Sequence, residues 1–225
     1  MGAATASSAG TLVYNVGTLF QGTTPTIGTH PTETAPWMTA TFSDIAPSGG
    51  VSQVQLTLKS NLLNSNEYIS EVVFNVASDH LGGSGGLTTS NITYSGTSPE
   101  VTDLVVSANN RSLTGVSLAT KFDIGIDWSS SSSKRFNGTD SDTFTFKLSG
   151  LTASDFNYTN STGSIHIAAL VKGIGVNHNL WGAIKENSIS PSSSPSAPVP
   201  EPVFFQLGAL LGMSGMGILK LRRKA

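Results

Sequence analysis

The chain has 225 residues, 38% of them hydrophobic and only 12% charged, about half the usual charged share, so it is unlike a long helical bundle rich in Ala, Glu, Lys, Leu and Arg. Its formal net charge is −2, but four of the twelve bases stand in the last six positions; residues 1–198 hold eight bases against thirteen acids, a net of −5, which repels phosphate backbones and argues against a nucleic-acid partner. The absence of cysteine removes disulfides, thiolate metal sites and cysteine nucleophiles, and leaves the redox compartment open.

Residues 1–10 carry neither a basic stretch nor an apolar run, yet Ala4-Thr5-Ala6 looks like the small-residue step that ends a secretory signal. The expectation is the remnant of a signal peptide, or a disordered N-terminus, whose true start lies upstream. Ala6 stands where the myristoylation pattern needs Ser or Thr.

From residue 11 to 189 the chain reads as short strands. In Asp142-Thr143-Phe144-Thr145-Phe146-Lys147-Leu148 the apolar residues fall on one face and the polar ones on the other, the period of two of a half-buried strand. The same alternation runs through residues 37–42, 54–58 and 122–128, and less regularly through 11–20, 71–77, 101–107 and 165–171. Between them lie turn clusters, Pro47-Ser48-Gly49-Gly50, Gly82-Gly83-Ser84-Gly85-Gly86, residues 129–133, and Asn137-Gly138, where Gly and Asn supply positive φ. Leu151-Thr152-Ala153-Ser154-Asp155-Phe156 is the one short helical candidate, with Thr152 as its cap. Strands so spaced predict an all-β fold over residues 11–189, an antiparallel, jelly-roll-like β-sandwich.

Residues 190–198, Ser-Pro-Ser-Ser-Ser-Pro-Ser-Ala-Pro, cannot offset the entropy of ordering and predict a linker. Residues 203–219 follow as an uncharged run with Gln206 as its only strongly polar member. As a helix these 17 residues span about 26 Å, the short end for a bilayer core of about 30 Å, which Lys220 extends by snorkelling. With Lys220, Arg222, Arg223 and Lys224 behind the run, the positive-inside rule places the domain outside and the basic end in the cytoplasm. Gly208 and Gly212 form a GxxxG pair, though small residues are common in such helices.

Directly before the run stands Val199-Pro200-Glu201-Pro202. Val-Pro-Glu-Pro, one apolar helix and a basic end, in that order, resemble the PEP-CTERM sorting signal of exported bacterial proteins, over residues 199–225. The resemblance implies export in Gram-negative bacteria that make extracellular polysaccharide, insertion of residues 203–219 in the inner membrane, and cleavage by an exosortase-type transpeptidase. It also implies that Pro200, Glu201 and Pro202 are the recognition residues and that Arg222 and Arg223 are the cytoplasmic stop.

Catalytic and binding patterns elsewhere compete with plainer readings. Gly82-Gly83-Ser84-Gly85-Gly86 satisfies G-x-S-x-G, but no helix pattern follows it, so a Gly/Ser loop is the favoured reading and His80 a surface histidine. Asp140 and Asp142, or Asp123 with Asp127, offer carboxylates to calcium; without the full D-x-D-x-D-G spacing they read as solvated turn carboxylates. His30, His166 and His178 have no metal-ligand spacing, and His166 reads as a strand position. The five Asn-x-Ser/Thr sequons arise from composition. Trp37, Trp128 and Trp181 could stack on sugar rings, but Trp37 and Trp128 lie at strand positions, where core packing is the default. The expectation is an exported structural or interaction protein, not an enzyme, with no cofactor and with extracellular polysaccharide as a candidate partner. The alternative is a surface carbohydrate-binding module, with a hydrolase third.

Overall fold

The computed structural model describes residues 10–19, 35–96, 99–112, 121–159, 165–174 and 178–185. They form eleven strands: β1 (Thr11–Val16), β2 (Thr18–Leu19), β3 (Met38–Ser48), β4 (Val51–Ser60), β5 (Tyr68–Phe74), β6 (Ile92–Tyr94), β7 (Val101–Ser112), β8 (Lys121–Trp128), β9 (Ser141–Lys147), β10 (Ile165–Ile174) and β11 (His178–Lys185). The chain is thus all-β among the described residues, with helix only as three short 3-10 turns. It divides into two units, residues 1–193 and 194–225, and the second lies outside the described residues, as do the proposed linker and sorting tail.

The strands make two antiparallel sheets, ordered β1-β3-β4-β9-β6 and β2-β11-β10-β5-β8-β7. Alternation explains the first sheet. Val54, Leu56 and Leu58 of β4, Met38, Ala40 and Phe42 of β3, and Phe144 and Phe146 of β9 are all buried, with Thr39, Thr41, Gln55, Thr57 and Thr145 between them on the other face. One core holds residues of both sheets. Phe42 stacks on Phe156 at 4.4 Å between ring centroids and meets Phe74 of the second sheet edge-on at 5.5 Å, while Phe74 also meets Phe146 at 6.2 Å. Aromatic pairs of this geometry add about 0.5–1.5 kcal/mol beyond the area they bury.

The expected helical turn is present at Ala153–Phe156, and the Asp155 carboxylate accepts the Thr152 N–H at 2.7 Å. The β3–β4 hairpin turns at Gly49 and Gly50, both at positive φ, although β3 runs on through Pro47 to Ser48. Strand β8 departs from simple alternation. It lies inside its sheet between β5 and β7, and residues Phe122 to Ile126 are buried without a break, because Phe122 joins a second apolar cluster with Val73, Ile165, Ala168 and Leu170.

Candidate functional site

Two breaks in the ladder of the second sheet lie in one polar cleft, and a third ends at Arg111, which also lines it. In β5, Glu71 pairs with Leu170 and Ile69 with Val171, so Ser70 is an extra residue, and its hydroxyl donates to the Leu170 carbonyl at 3.3 Å. In β7, Val101 pairs with Trp128 and Asp103 with Asp127, so Thr102 is extra and its hydroxyl donates to the Asp127 carbonyl at 3.2 Å. Further along β7, Val106 pairs with Ile124 and Arg111 with Phe122, so residues 107–110 bulge out of register. Asn109 takes φ 50 within that bulge, a conformation asparagine tolerates, and its N–H donates to Asp123 Oδ1 at 2.8 Å. Bulges bend a strand and re-aim its side chains.

The residue re-aimed is Arg111. Its side chain lies across Gly125, where a Cβ would meet Arg111 Cγ at 2.8 Å and Cδ at 3.1 Å. A glycine inside a strand marks such a close approach. Arg111 Nη2 donates to Asp127 Oδ2 in a close ion pair, its Nε lies 3.5 Å from Glu71 Oε1, and Asp103 is 4.0 Å away. Glu71 and Asp127 are direct partners across β5 and β8. Burial, then the Asp127 charge, push the Glu71 carboxyl up to about 7, against the pull of Arg111 and Lys172. The cleft encloses about 510 Å³, and Ser70, Glu71, Thr102, Arg111, Asp127 and Lys172 are among its lining residues.

The residues singled out from sequence are arranged otherwise. Trp37 and Trp128 are 5% and 4% exposed and belong to the core, so core packing holds and a sugar-stacking face on these two rings is corrected. Trp128 stacks on Phe136 at 4.8 Å and donates its indole N–H to Asp142 Oδ2 at 2.5 Å. Trp181 pairs with Leu170 in β11, and its side chain lies outside the described residues. Asp142 is 2% exposed and also accepts the Tyr94 hydroxyl at 3.1 Å, so it is neither a solvated turn carboxylate nor a calcium ligand with Asp140. Burial raises its carboxyl above the usual range, opposed by those two donors. Asp140 instead accepts the Asn137 N–H at 3.0 Å and closes the Asn137-Gly138 turn.

Asp123, 4% exposed, accepts backbone N–H groups from Val76 and Asn109, while Asp127 holds Arg111, so the two share no cation. Among the described residues no group of three or more His, Asp or Glu is placed to hold a metal ion. His80 Nε2 lies 3.1 Å from Asp155 Oδ2, which makes it a clamp on the Ala153–Phe156 turn rather than a free surface histidine. Ser84 sits in a glycine loop between single 3-10 turns and has no elbow geometry. His166 is buried in β10 and stacks on Tyr14 at 5.6 Å. His30, Val199, Pro200, Glu201, Pro202, Lys220, Arg222, Arg223 and Lys224 lie outside the described residues, and no described helix is long and apolar enough to cross a membrane.

Sequence reasoning passed over Arg111 and Glu71. The one signal that pointed to them is Gly125 between Asp123 and Asp127, a glycine at mid-strand flanked by acids. Comparison of the chain with family models, with curated proteins and with solved structures finds no match in any of the three.

Proposed function

We propose that the chain is an exported cell-surface or extracellular-matrix protein with a structural or interaction role, delivered by its C-terminal tail. The observation that carries this reading is the order of three parts at the C-terminus: Val199-Pro200-Glu201-Pro202, the uncharged run 203–219, and the basic end at Lys220, Arg222, Arg223 and Lys224. An apolar run of that length enters a bilayer, and the bases keep its end in the cytoplasm. The precursor is then a single-pass inner-membrane protein with its β domain outside, and the exosortase-type transpeptidase recognises Pro200, Glu201 and Pro202 and cleaves the tail to leave the domain at the surface or in the matrix. The domain itself we read as an antiparallel, jelly-roll-like β-sandwich, because rings of the two sheets, Phe42 and Phe146 against Phe74, interlock in one core.

Processing tests the reading. In a host that carries an exosortase, Glu201→Ala and removal of residues 203–225 should each change the mass or the surface retention of the mature protein. Unchanged mass and location in both variants refute it. The second reading, a surface carbohydrate-binding module, no longer draws on Trp37 or Trp128; what favours it is the Arg111 cleft.

A further inference from the structure

We propose that the cleft around Arg111 binds a neutral, polyhydroxylated ligand, a saccharide of one or two rings. The proposal deepens the carbohydrate-binding reading by giving it a site and a ligand class. It stands without the sorting tail, since sugar binding and tail processing are measured separately and either can fail alone.

Three features converge. The first is construction: the extra residues Ser70 and Thr102 line the cleft, and so does Arg111, which directly follows the bulge at residues 107–110. Strand irregularities of this kind collect beside binding and catalytic sites. The second is size, since about 510 Å³ falls inside the roughly 300–1,000 Å³ of small-molecule sites.

The third is charge. Arg111 and Lys172 stand among Glu71, Asp103 and Asp127, so the cations are matched and there is no surplus positive charge to attract phosphate, sulfate or a uronic acid. The cleft therefore offers hydrogen bonds rather than a net field. A carboxylate only accepts and an ammonium only donates, whereas each sugar hydroxyl does both, so a vicinal diol can bridge the two kinds of group. Bonds to ionised partners are about twice as strong as neutral ones. Ser112 and Ser130 add neutral hydroxyls, and Leu170 gives a small apolar patch for a sugar C–H face.

The test uses the purified full chain in a zwitterionic detergent, which carries no sugar headgroup. It is titrated with glucose, galactose, mannose and N-acetylglucosamine, with glucuronate and glycerol as controls, and followed by calorimetry and ligand-observed NMR. At least one neutral sugar should bind saturably with half-saturation in the millimolar range or below; glucuronate should bind more weakly and glycerol should not saturate. Ser112→Trp, a change at an exposed strand position that fills the cleft mouth, should weaken that binding by about tenfold or more with an unchanged melting temperature. If that variant is misfolded, Lys172→Ala decides, with a loss of about tenfold expected from one charged hydrogen bond. No saturable binding by any of the four sugars up to about 50 mM, tighter binding of glucuronate than of the neutral sugars, or wild-type binding in the folded variants overturns the proposal.

Discussion

Replacing Glu71 with glutamine changes one charge and almost no volume, and its effect on stability should depend on pH. The Glu71 carboxyl is raised from 4.5 to about 7 by burial first and by Asp127 next. Between those values the native domain keeps a proton that the unfolded chain has released, so the cost of ionising Glu71 grows as pH rises and is complete above about 7. At roughly 1.4 kcal/mol per pH step the full penalty would be about 3 kcal/mol, and with the side chain 12% exposed beside an open cleft, solvent screening leaves about 1–2 kcal/mol. The neutral amide escapes the penalty, and its oxygen can still accept from Arg111. Melts followed by circular dichroism should therefore show E71Q and wild type within about 2 °C at pH 5, and the variant about 2–8 °C higher at pH 8, with the gap at pH 8 about four times that at pH 5. An equal gap at both pH values, or a wild type that is the more stable at pH 8, would refute the electrostatic account of the cleft.

Two other substitutions probe its neighbours. Gly125→Ala would ordinarily stabilise a strand by about 0.5–1 kcal/mol, but here the new methyl displaces Arg111, so the urea midpoint should fall by the equivalent of about 1–3 kcal/mol. Trp128→Phe takes the indole N–H from the buried Asp142 carboxylate and leaves a small void beside Phe136, and thermal unfolding should show a loss of about 2–4 kcal/mol.

The strands that could be read from the sequence are those with one face on the core and the other on water. In β9 and β4 the alternation of Phe or Leu with Thr follows directly from that arrangement. Strand β8 could not be read the same way, because it is covered on both faces over Phe122 to Ile126 and its Asp123 serves backbone N–H groups rather than solvent. Asp142 misled for a related reason. It lies next to turn residues in sequence, yet its partner Trp128 comes from the other sheet, and no local pattern reports such a pairing. The cleft was hidden most deeply: Arg111 and Glu71 are 40 positions apart in sequence, on strands that flank β8, and the bulge just before Arg111 has no local signature.

The bulge at residues 107–110 has a second consequence, for how copies of the protein behave when crowded. Strand β7 is the outermost strand of its sheet and, at twelve residues, the longest among those described, which in a straight strand would be an invitation to a neighbour's backbone. The misfit between Val106 and Arg111 splits that edge into two short runs that cannot both align with one incoming strand, and Asp103 places a charge on the first. The same distortion that precedes the arginine of the cleft thus makes this edge a poor template for a neighbour's strand.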